Sequence, residues 1–139
     1  MSLAQTVVLF DVDNTLLDND QLAIDLTQHL EQEVGLRGEQ QYWAIFEQLR
    51  DELGYVDYLG ALQRYRQEYP RDPHLLTLSR FLLNYPFAER LFPQAREVVR
   101  RMSQWAQAVI LSDGDVVFQP RKIDRSGLFE VVEGHVLIY

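Results

Sequence analysis

The chain has 139 residues and a formal net charge of −8, and this acidic balance argues against a nucleic-acid-binding or anionic-membrane-binding surface. The absence of cysteine excludes disulfides, thiol catalysis and cysteine-ligated metals. The apolar runs are far shorter than the roughly 20 residues of a membrane span, and no signal-peptide pattern is visible. We therefore expect a soluble, cytoplasmic protein with neither nucleic acid nor membrane as a partner.

The first predicted element is a short buried strand, Val7–Phe10, and two carboxylates follow it at Asp11 and Asp13. Such a pair suits phosphoryl chemistry, because one carboxylate can attack phosphorus while the other supplies and removes protons. Two negative charges about 4 Å apart repel by roughly 4 kcal/mol at an effective dielectric constant near 20. The pair therefore predicts a bound Mg²⁺, which prefers one or two carboxylates together with phosphate oxygens and water. An alternative is that the two aspartates only cap the following turn.

The stretch from Phe10 to Leu17 resembles the first motif of the haloacid dehalogenase superfamily of hydrolases, a hydrophobic strand followed by Asp-x-Asp-x-Thr. The resemblance implies that Asp11 forms an aspartyl-phosphate and that Asp13 is the general acid and base. It also implies that Mg²⁺ is held by the Asp11 carboxylate and the Asp13 carbonyl, with Asn14 and Thr15 next to the phosphate. The dehalogenases proper lack the second aspartate, so Asp13 favours phosphate ester hydrolysis or phosphoryl transfer.

Four amphipathic helices are predicted next, because apolar residues recur at helical spacing. The first two are expected to end at Gly35 and before Gly54, the third to span 55–69, and the fourth to contain Leu75 and Leu82. Family members with helices inserted at this point use them as a cap that closes over the active site. The spacing of the aromatic residues favours core packing over a substrate pocket, and this group contains Tyr42, Trp43, Tyr55, Tyr58, Tyr65 and Tyr69.

After these helices the chain resembles the family's return to the core, at Leu91-Phe92-Pro93. Many members have glycine where this chain has Gln94, and we expect Pro93 to lie in the first turn of the next helix.

A second buried strand is predicted at 108–111, followed by Ser112, Asp113 and Gly114. The resemblance implies that Ser112 binds a phosphoryl oxygen, helped by backbone N–H groups that Gly114 leaves accessible. Asp113 is a further candidate for the phosphate site, although turn and capping roles are favoured for it and for Asp115. The alternative for Ser112 is the N-cap of a helix that starts near Val116.

The only lysine of the chain is Lys122. We interpret it as a solvated helix residue, with a contact to phosphate as the lesser alternative. The family's third-motif lysine usually follows the next strand, here predicted at 131–135 or 136–139, and no acidic pair of the fourth motif follows Gly134. The chain is therefore interpreted as the front portion of a longer protein, or else as a degenerate relative that a partner completes.

The predicted fold is α/β, a Rossmann-like parallel sheet core of the haloacid dehalogenase type, incomplete at the C-terminus, with an inserted all-helical cap. Residues 1–18 and 89–139 are assigned to the core and 19–88 to the cap. The predicted function is that of a Mg²⁺-dependent phosphatase acting on a small phosphorylated metabolite. A phosphomutase and a non-catalytic binding module are the alternatives, and we expect the 139-residue chain alone to hydrolyse p-nitrophenyl phosphate poorly. The oligomeric state stays open.

Overall fold

The computed structural model describes residues 5–139, so the first four residues of the predicted core segment lie outside the described residues. The chain divides into two compact units. The α/β unit contains residues 5–19, 86–113 and 119–139, and the helical unit contains residues 20–85 and 114–118. No helix in this described part of the chain is long and apolar enough to cross a membrane.

The α/β unit is built on a parallel sheet with the strand order β1-β2-β3, which confirms the predicted fold class. The strands are β1 (Val7–Phe10), β2 (Gln107–Ser112) and β3 (Val136–Ile138). Because parallel strands need long crossover connections, helices follow both β1 and β2 along the chain. The register aligns Phe10 with Ile110 and Ser112 with Ile138, so the residues after β1 and at the end of β2 lie at the same edge of the sheet.

The α/β unit also contains a short 3₁₀ helix at Phe87–Arg90 and three α-helices, one of which starts at Phe118, the last residue of the helical unit. The three α-helices are α4 (Ala95–Ser103), α5 (Phe118–Arg125) and α6 (Leu128–Val131). The alternative strand at 131–135 is wrong, because Val131 ends α6 and β3 begins only at Val136.

The expected position of Pro93 in the first turn of α4 is also wrong. The residue that caps α4 is Gln94, which has a left-handed backbone (φ 66°). Glycine adopts this conformation without the steric cost that a Cβ atom brings. The left-handed backbone therefore gives a physical reason for the glycine that many family members have here.

The helical unit contains α1 (Asn19–Leu53), α2 (Tyr58–Glu68) and α3 (Leu75–Leu83). The predicted end of the first helix at Gly35 is a kink inside α1, where this residue alone leaves the helical backbone (φ 74°, ψ 174°). The third helix begins at Tyr58 rather than Tyr55, because the Asp57 side chain caps it by accepting the Gly60 N–H at 2.7 Å.

The core of the helical unit contains apolar and aromatic side chains that recur at helical spacing in the sequence. Tyr42, Tyr58 and Tyr65 are at most 4% exposed, which confirms core packing for these three aromatics. The rings of Phe46 and Tyr58 pack with their centroids 5.0 Å apart. The role of this unit as a substrate-selecting cap stays a prediction.

Candidate active site

A tight turn directly after β1 presents the two aspartates of the first motif. The Val12 carbonyl accepts hydrogen bonds from the backbone N–H groups of Thr15, Leu16 and Leu17 at 2.9–3.2 Å. Val12 itself is fully buried, whereas Asp11 is exposed and Asp13 half-buried. The buried valine anchors the turn and leaves the carboxylates on either side of it accessible.

Asp11 is held lightly. Among the described residues its carboxylate receives one side-chain hydrogen bond, from the Thr15 hydroxyl to Oδ2 at 3.1 Å. This contact fixes the rotamer of Asp11 and leaves the other carboxylate oxygen accessible. Asn14 has a different role from Thr15, because its side-chain oxygen accepts the backbone N–H of Asn19 at 2.9 Å and so joins the turn to the start of α1. A contact of Asn14 or Thr15 with phosphate stays a prediction.

Asp13, by contrast, is held on both oxygens. The Lys122 ammonium donates to Oδ1 at 2.7 Å, and the Gln119 amide nitrogen donates to Oδ2 at 3.2 Å. The interpretation of Lys122 as a solvated residue is therefore wrong, since its side chain is 1% exposed. Its aliphatic stem can be buried because its charged end is paired, with a second hydrogen bond to the Asn19 side-chain oxygen at 3.0 Å.

Ser112 ends β2 and is 1% exposed. Its hydroxyl oxygen accepts a hydrogen bond from the Gln119 amide at 2.7 Å. It is not the cap of α5, because the Asp115 carboxylate accepts the backbone N–H groups of Val117 and Phe118 at 2.7 and 2.8 Å. The predicted capping role of Asp115 is confirmed, and Ser112 is left for another role.

The turn that follows Ser112 is accessible. Asp113 is exposed, and Gly114 has φ 146°. Their predicted contacts with phosphate stay predictions. One residue of this constellation was missed altogether, namely Gln119. The sequence did contain a signal for it. Gln119 lies three positions before Lys122, so both side chains share one face of the helix that follows the strand ending at Ser112.

Mg²⁺ fits this donor set. Within residues 5–139 no group of three or more His, Cys, Asp or Glu side chains is arranged to hold a metal ion. Mg²⁺ does not need such a cage, because it keeps several waters and binds one or two carboxylates together with phosphate oxygens. The accessible Asp11 carboxylate beside Asp13 is a site of that type.

The profile of the haloacid dehalogenase-like hydrolases matches residues 5–139. The chain belongs to this family. No curated protein sequence matches it significantly.

Solved structures agree with the family assignment. This haloacid dehalogenase-like chain is 59% identical to a haloacid dehalogenase-like hydrolase from Burkholderia xenovorans, with a TM-score of 0.91. The match covers 97% of this chain and 61% of the relative, so the chain spans less than two thirds of that relative's length.

Two more distant structures share the fold alone. One is a hydrolase of this family from Bacillus subtilis bound to magnesium (19% identity, TM-score 0.59), and the match covers 96% of this chain and 63% of that one. The other is an L-2-haloacid dehalogenase from Xanthobacter autotrophicus (19% identity, TM-score 0.53), with 97% and 56% covered. These neighbours do not distinguish hydrolysis of a phosphate ester from hydrolysis of a carbon–halogen bond, so that choice depends on the chain's own residues.

Proposed function

We propose that the protein is a Mg²⁺-dependent phosphatase that hydrolyses a small phosphorylated metabolite through an aspartyl-phosphate on Asp11. The observation that carries the proposal is the pair of carboxylates with unequal surroundings. Asp11 is exposed and lightly held, which suits a nucleophile, whereas Asp13 in the same turn accepts hydrogen bonds on both carboxylate oxygens.

In the first step an Asp11 oxygen attacks phosphorus, and the bond from phosphorus to the ester oxygen breaks. The departing oxygen takes the electron pair of that bond and a proton from Asp13, which is ionised beside Lys122 at the start and has taken this proton from the monoanionic phosphate ester as it binds. In the second step Asp13 takes a proton from water, the water oxygen bonds to phosphorus, and the bond from phosphorus to Asp11 breaks. Asp13 passes its proton to the inorganic phosphate as it leaves, and both carboxylates return to their ionised starting state.

Two further groups support this chemistry. The Ser112 hydroxyl at the end of β2 is a donor for a phosphoryl oxygen, in a buried position where a hydrogen bond to a charged group is strong. Mg²⁺, held by the Asp11 carboxylate and the Asp13 carbonyl, would supply positive charge to the phosphate oxygens. The magnesium-bound Bacillus subtilis structure supports this choice of metal through the shared fold.

A second aspartate at position 13 favours phosphate over halide, because halide needs no proton when it leaves whereas an alkoxide does. A phosphomutase would use the same two carboxylates but would pass the phosphoryl group to a second hydroxyl instead of water.

The first test does not require turnover. Beryllium trifluoride mimics a phosphoryl group on a carboxylate, so ¹⁹F NMR should detect a bound fluoride signal when the protein is mixed with Mg²⁺ and beryllofluoride. Asp11→Asn should abolish this signal, and the exposed Asp51→Asn in the helical unit is the matched control. A bound signal that survives Asp11→Asn would refute the assignment of the nucleophile.

The second test compares reaction types. Phosphate release from a panel of phosphate monoesters is measured beside chloride release from an L-2-chloro acid, each with and without Mg²⁺. We expect phosphate release alone, and only with Mg²⁺. Chloride release without phosphate release would overturn the proposal in favour of a dehalogenase, and transfer between two sugar positions without free phosphate would favour the phosphomutase.

A further inference from the structure

Two polar side chains on successive turns of α5 are buried beside the carboxylate pair. Gln119 is 3% exposed and Lys122 1% exposed. A buried amide or ammonium costs several kcal/mol unless its donors are paired. The partners of these two side chains therefore decide what they do in the site.

Lys122 holds one oxygen of Asp13. Its ammonium donates to Asp13 Oδ1 at 2.7 Å and to the Asn19 side chain at 3.0 Å, so the cation is fixed between the motif turn and the first residue of α1. A charge-assisted hydrogen bond of this length is stronger than a neutral one. It restricts the Asp13 carboxylate to one rotamer.

Gln119 holds the other oxygen and reaches Ser112 as well. Its amide nitrogen donates to Asp13 Oδ2 at 3.2 Å and to the Ser112 hydroxyl oxygen at 2.7 Å. An ionised carboxylate only accepts, so the amide nitrogen must face Asp13 and the amide orientation is determined. Because the Ser112 oxygen accepts from Gln119, its own hydrogen points elsewhere, and it donates to the Asp113 carbonyl at 3.4 Å. This hydrogen bond is long and therefore weak, so a bound phosphoryl oxygen would replace it.

We propose that Gln119 and Lys122 are positioning residues that fix Asp13 and Ser112 together before a substrate binds. The proposal rests on the proposed function for what the two fixed groups then do. It joins the turn after β1 to the end of β2 through one helix, so that the proton-transfer group and the phosphate-binding hydroxyl are held in one arrangement. Neither Gln119 nor Lys122 needs to touch the substrate.

The geometry can be tested without activity, because Lys122 is the only lysine of the chain. The ¹⁵N-labelled protein should give a single side-chain ammonium signal with slow hydrogen exchange, and Lys122 should react slowly with an acetylating reagent, as read by peptide mass spectrometry. Asp13→Asn should remove the slow exchange and raise the acetylation rate. An ammonium signal that exchanges as fast as free lysine in the unaltered protein would overturn the proposal.

The second arm separates positioning from plain structural support in the protein with measured turnover. Lys122→Met and Gln119→Met should each lower kcat by roughly 10- to 100-fold and leave KM within about threefold. Lys122→Arg, which keeps the charge, should recover part of the loss. The matched control is Arg125→Met, which removes one exposed positive charge from the same helix and should leave kcat unchanged.

The two arms fail separately. Equal losses of kcat and of folded protein in both methionine variants, with no recovery in Lys122→Arg, would reduce the two residues to structural support and overturn the positioning role. A slow ammonium signal in a protein that releases no phosphate would leave the geometry intact and refute the proposed function instead.

Discussion

The two units of the molecule bury different kinds of side chain. The buried polar or charged residues found among the described residues all belong to the α/β unit, and they are Ser112, Gln119, Lys122 and Ser126. The helical unit buries apolar side chains and tyrosines, and three of these tyrosine hydroxyls, those of Tyr42, Tyr65 and Tyr85, donate to specific acceptors. Tyr42 donates to the Tyr58 carbonyl at 2.9 Å and Tyr85 to Asp25 at 2.6 Å.

The two units also differ in how far their paired charged side chains are exposed. Two arginine–glutamate ion pairs of the helical unit lie at its surface. In one of them the Arg64 and Glu52 side chains are 37% and 45% exposed and 2.6 Å apart, and such pairs contribute about 0–1 kcal/mol. In the α/β unit a fully buried ammonium meets a half-buried carboxylate. A buried ion pair is weak evidence for stability, because desolvation offsets the attraction. The difference agrees with the proposed function, in which the α/β unit maintains a costly polar arrangement for chemistry and the helical unit is built for packing.

The largest effect on chemistry is expected for Asp11→Asn. The change removes the nucleophile but keeps the shape of the side chain, and Asp11 is exposed with one side-chain contact among the described residues. In the protein with measured turnover we expect phosphate release to fall by about 10⁴-fold or more, while the free energy of unfolding changes by less than about 0.5 kcal/mol. Steady-state kinetics and urea unfolding measure the two quantities, and unaltered turnover would contradict the assignment.

Tyr42→Ala should show the opposite behaviour in the helical unit. The side chain is 1% exposed and packs against Trp43 and Phe46, so its loss leaves a cavity and should lower the free energy of unfolding by about 3–5 kcal/mol. Tyr42→Phe keeps the ring and removes only the hydrogen bond to Tyr58, at a cost of about 1 kcal/mol. Urea unfolding of both variants measures the difference. Equal losses in the free energy of unfolding would mean that the hydrogen bond of the Tyr42 hydroxyl, and not the packing of its ring, accounts for the stabilisation.

Ser112→Ala should be milder than Asp11→Asn and should act on chemistry. It removes a donor to the phosphoryl oxygen, which corresponds to about 1–3 kcal/mol in the activation free energy. The ratio kcat/KM measured with and without the substitution tests this. Because Gln119 also loses an acceptor, some loss of stability is expected, and Ser126→Ala, a second buried serine of the same unit, is the control for that part.

In the helical unit, Asp72 should make the stability of the protein depend on pH. Burial opposes the ionisation of Asp72, but hydrogen bonds from the His74 backbone, the Tyr65 hydroxyl and the His74 ring outweigh it and lower the Asp72 pKa. A folded pKa below the unfolded one stabilises the protein above about pH 4, and the contribution is lost as the pH falls through the folded pKa.

Asp72→Asn should therefore destabilise the protein at pH 7, and the difference from the unaltered protein should shrink below about pH 4. Unfolding curves at both pH values measure it, with the exposed Asp51→Asn as the control. A constant difference across this range would show that Asp72 contributes through its shape and not its charge.

The smallest expected effect concerns Gln94. Its left-handed backbone (φ 66°) is strained for a residue with a Cβ atom, so Gln94→Gly should raise the free energy of unfolding by up to about 1 kcal/mol. Gln104→Gly at the other end of α4, where φ is −72°, relieves no strain and should lower it by a similar amount. A thermal shift in the same direction for both variants would contradict the explanation.

The parts that could be predicted from the sequence are those with a local signal. Apolar runs followed by Asp11 or Ser112 identify the two strands. The recurrence of leucine every four residues from Leu22 to Leu30 identifies the first helix. The partners of Lys122 could not be predicted, because Asp13 is 109 positions away and a single lysine in a basic stretch reads as a surface residue. The strain at Gln94 was not predicted for a related reason, since it depends on a backbone angle (φ 66°) that no side-chain pattern in this chain encodes, although the family's glycine marks the position.

The sheet of the α/β unit has a consequence for handling the protein. Among residues 5–139, β1 and β3 each pair with β2 alone, and Val7, Leu9 and Leu137 on these outer strands are about half exposed, at 48%, 57% and 58%. In the 139-residue chain taken alone, sheet edges of this kind with apolar side chains are templates for association between copies. The net charge of −8 keeps copies apart at low ionic strength, where it is poorly screened. We therefore expect colloidal stability to fall as salt is added, with light scattering that rises between about 0.01 and 1 M salt as the Debye length shortens from roughly 30 to 3 Å.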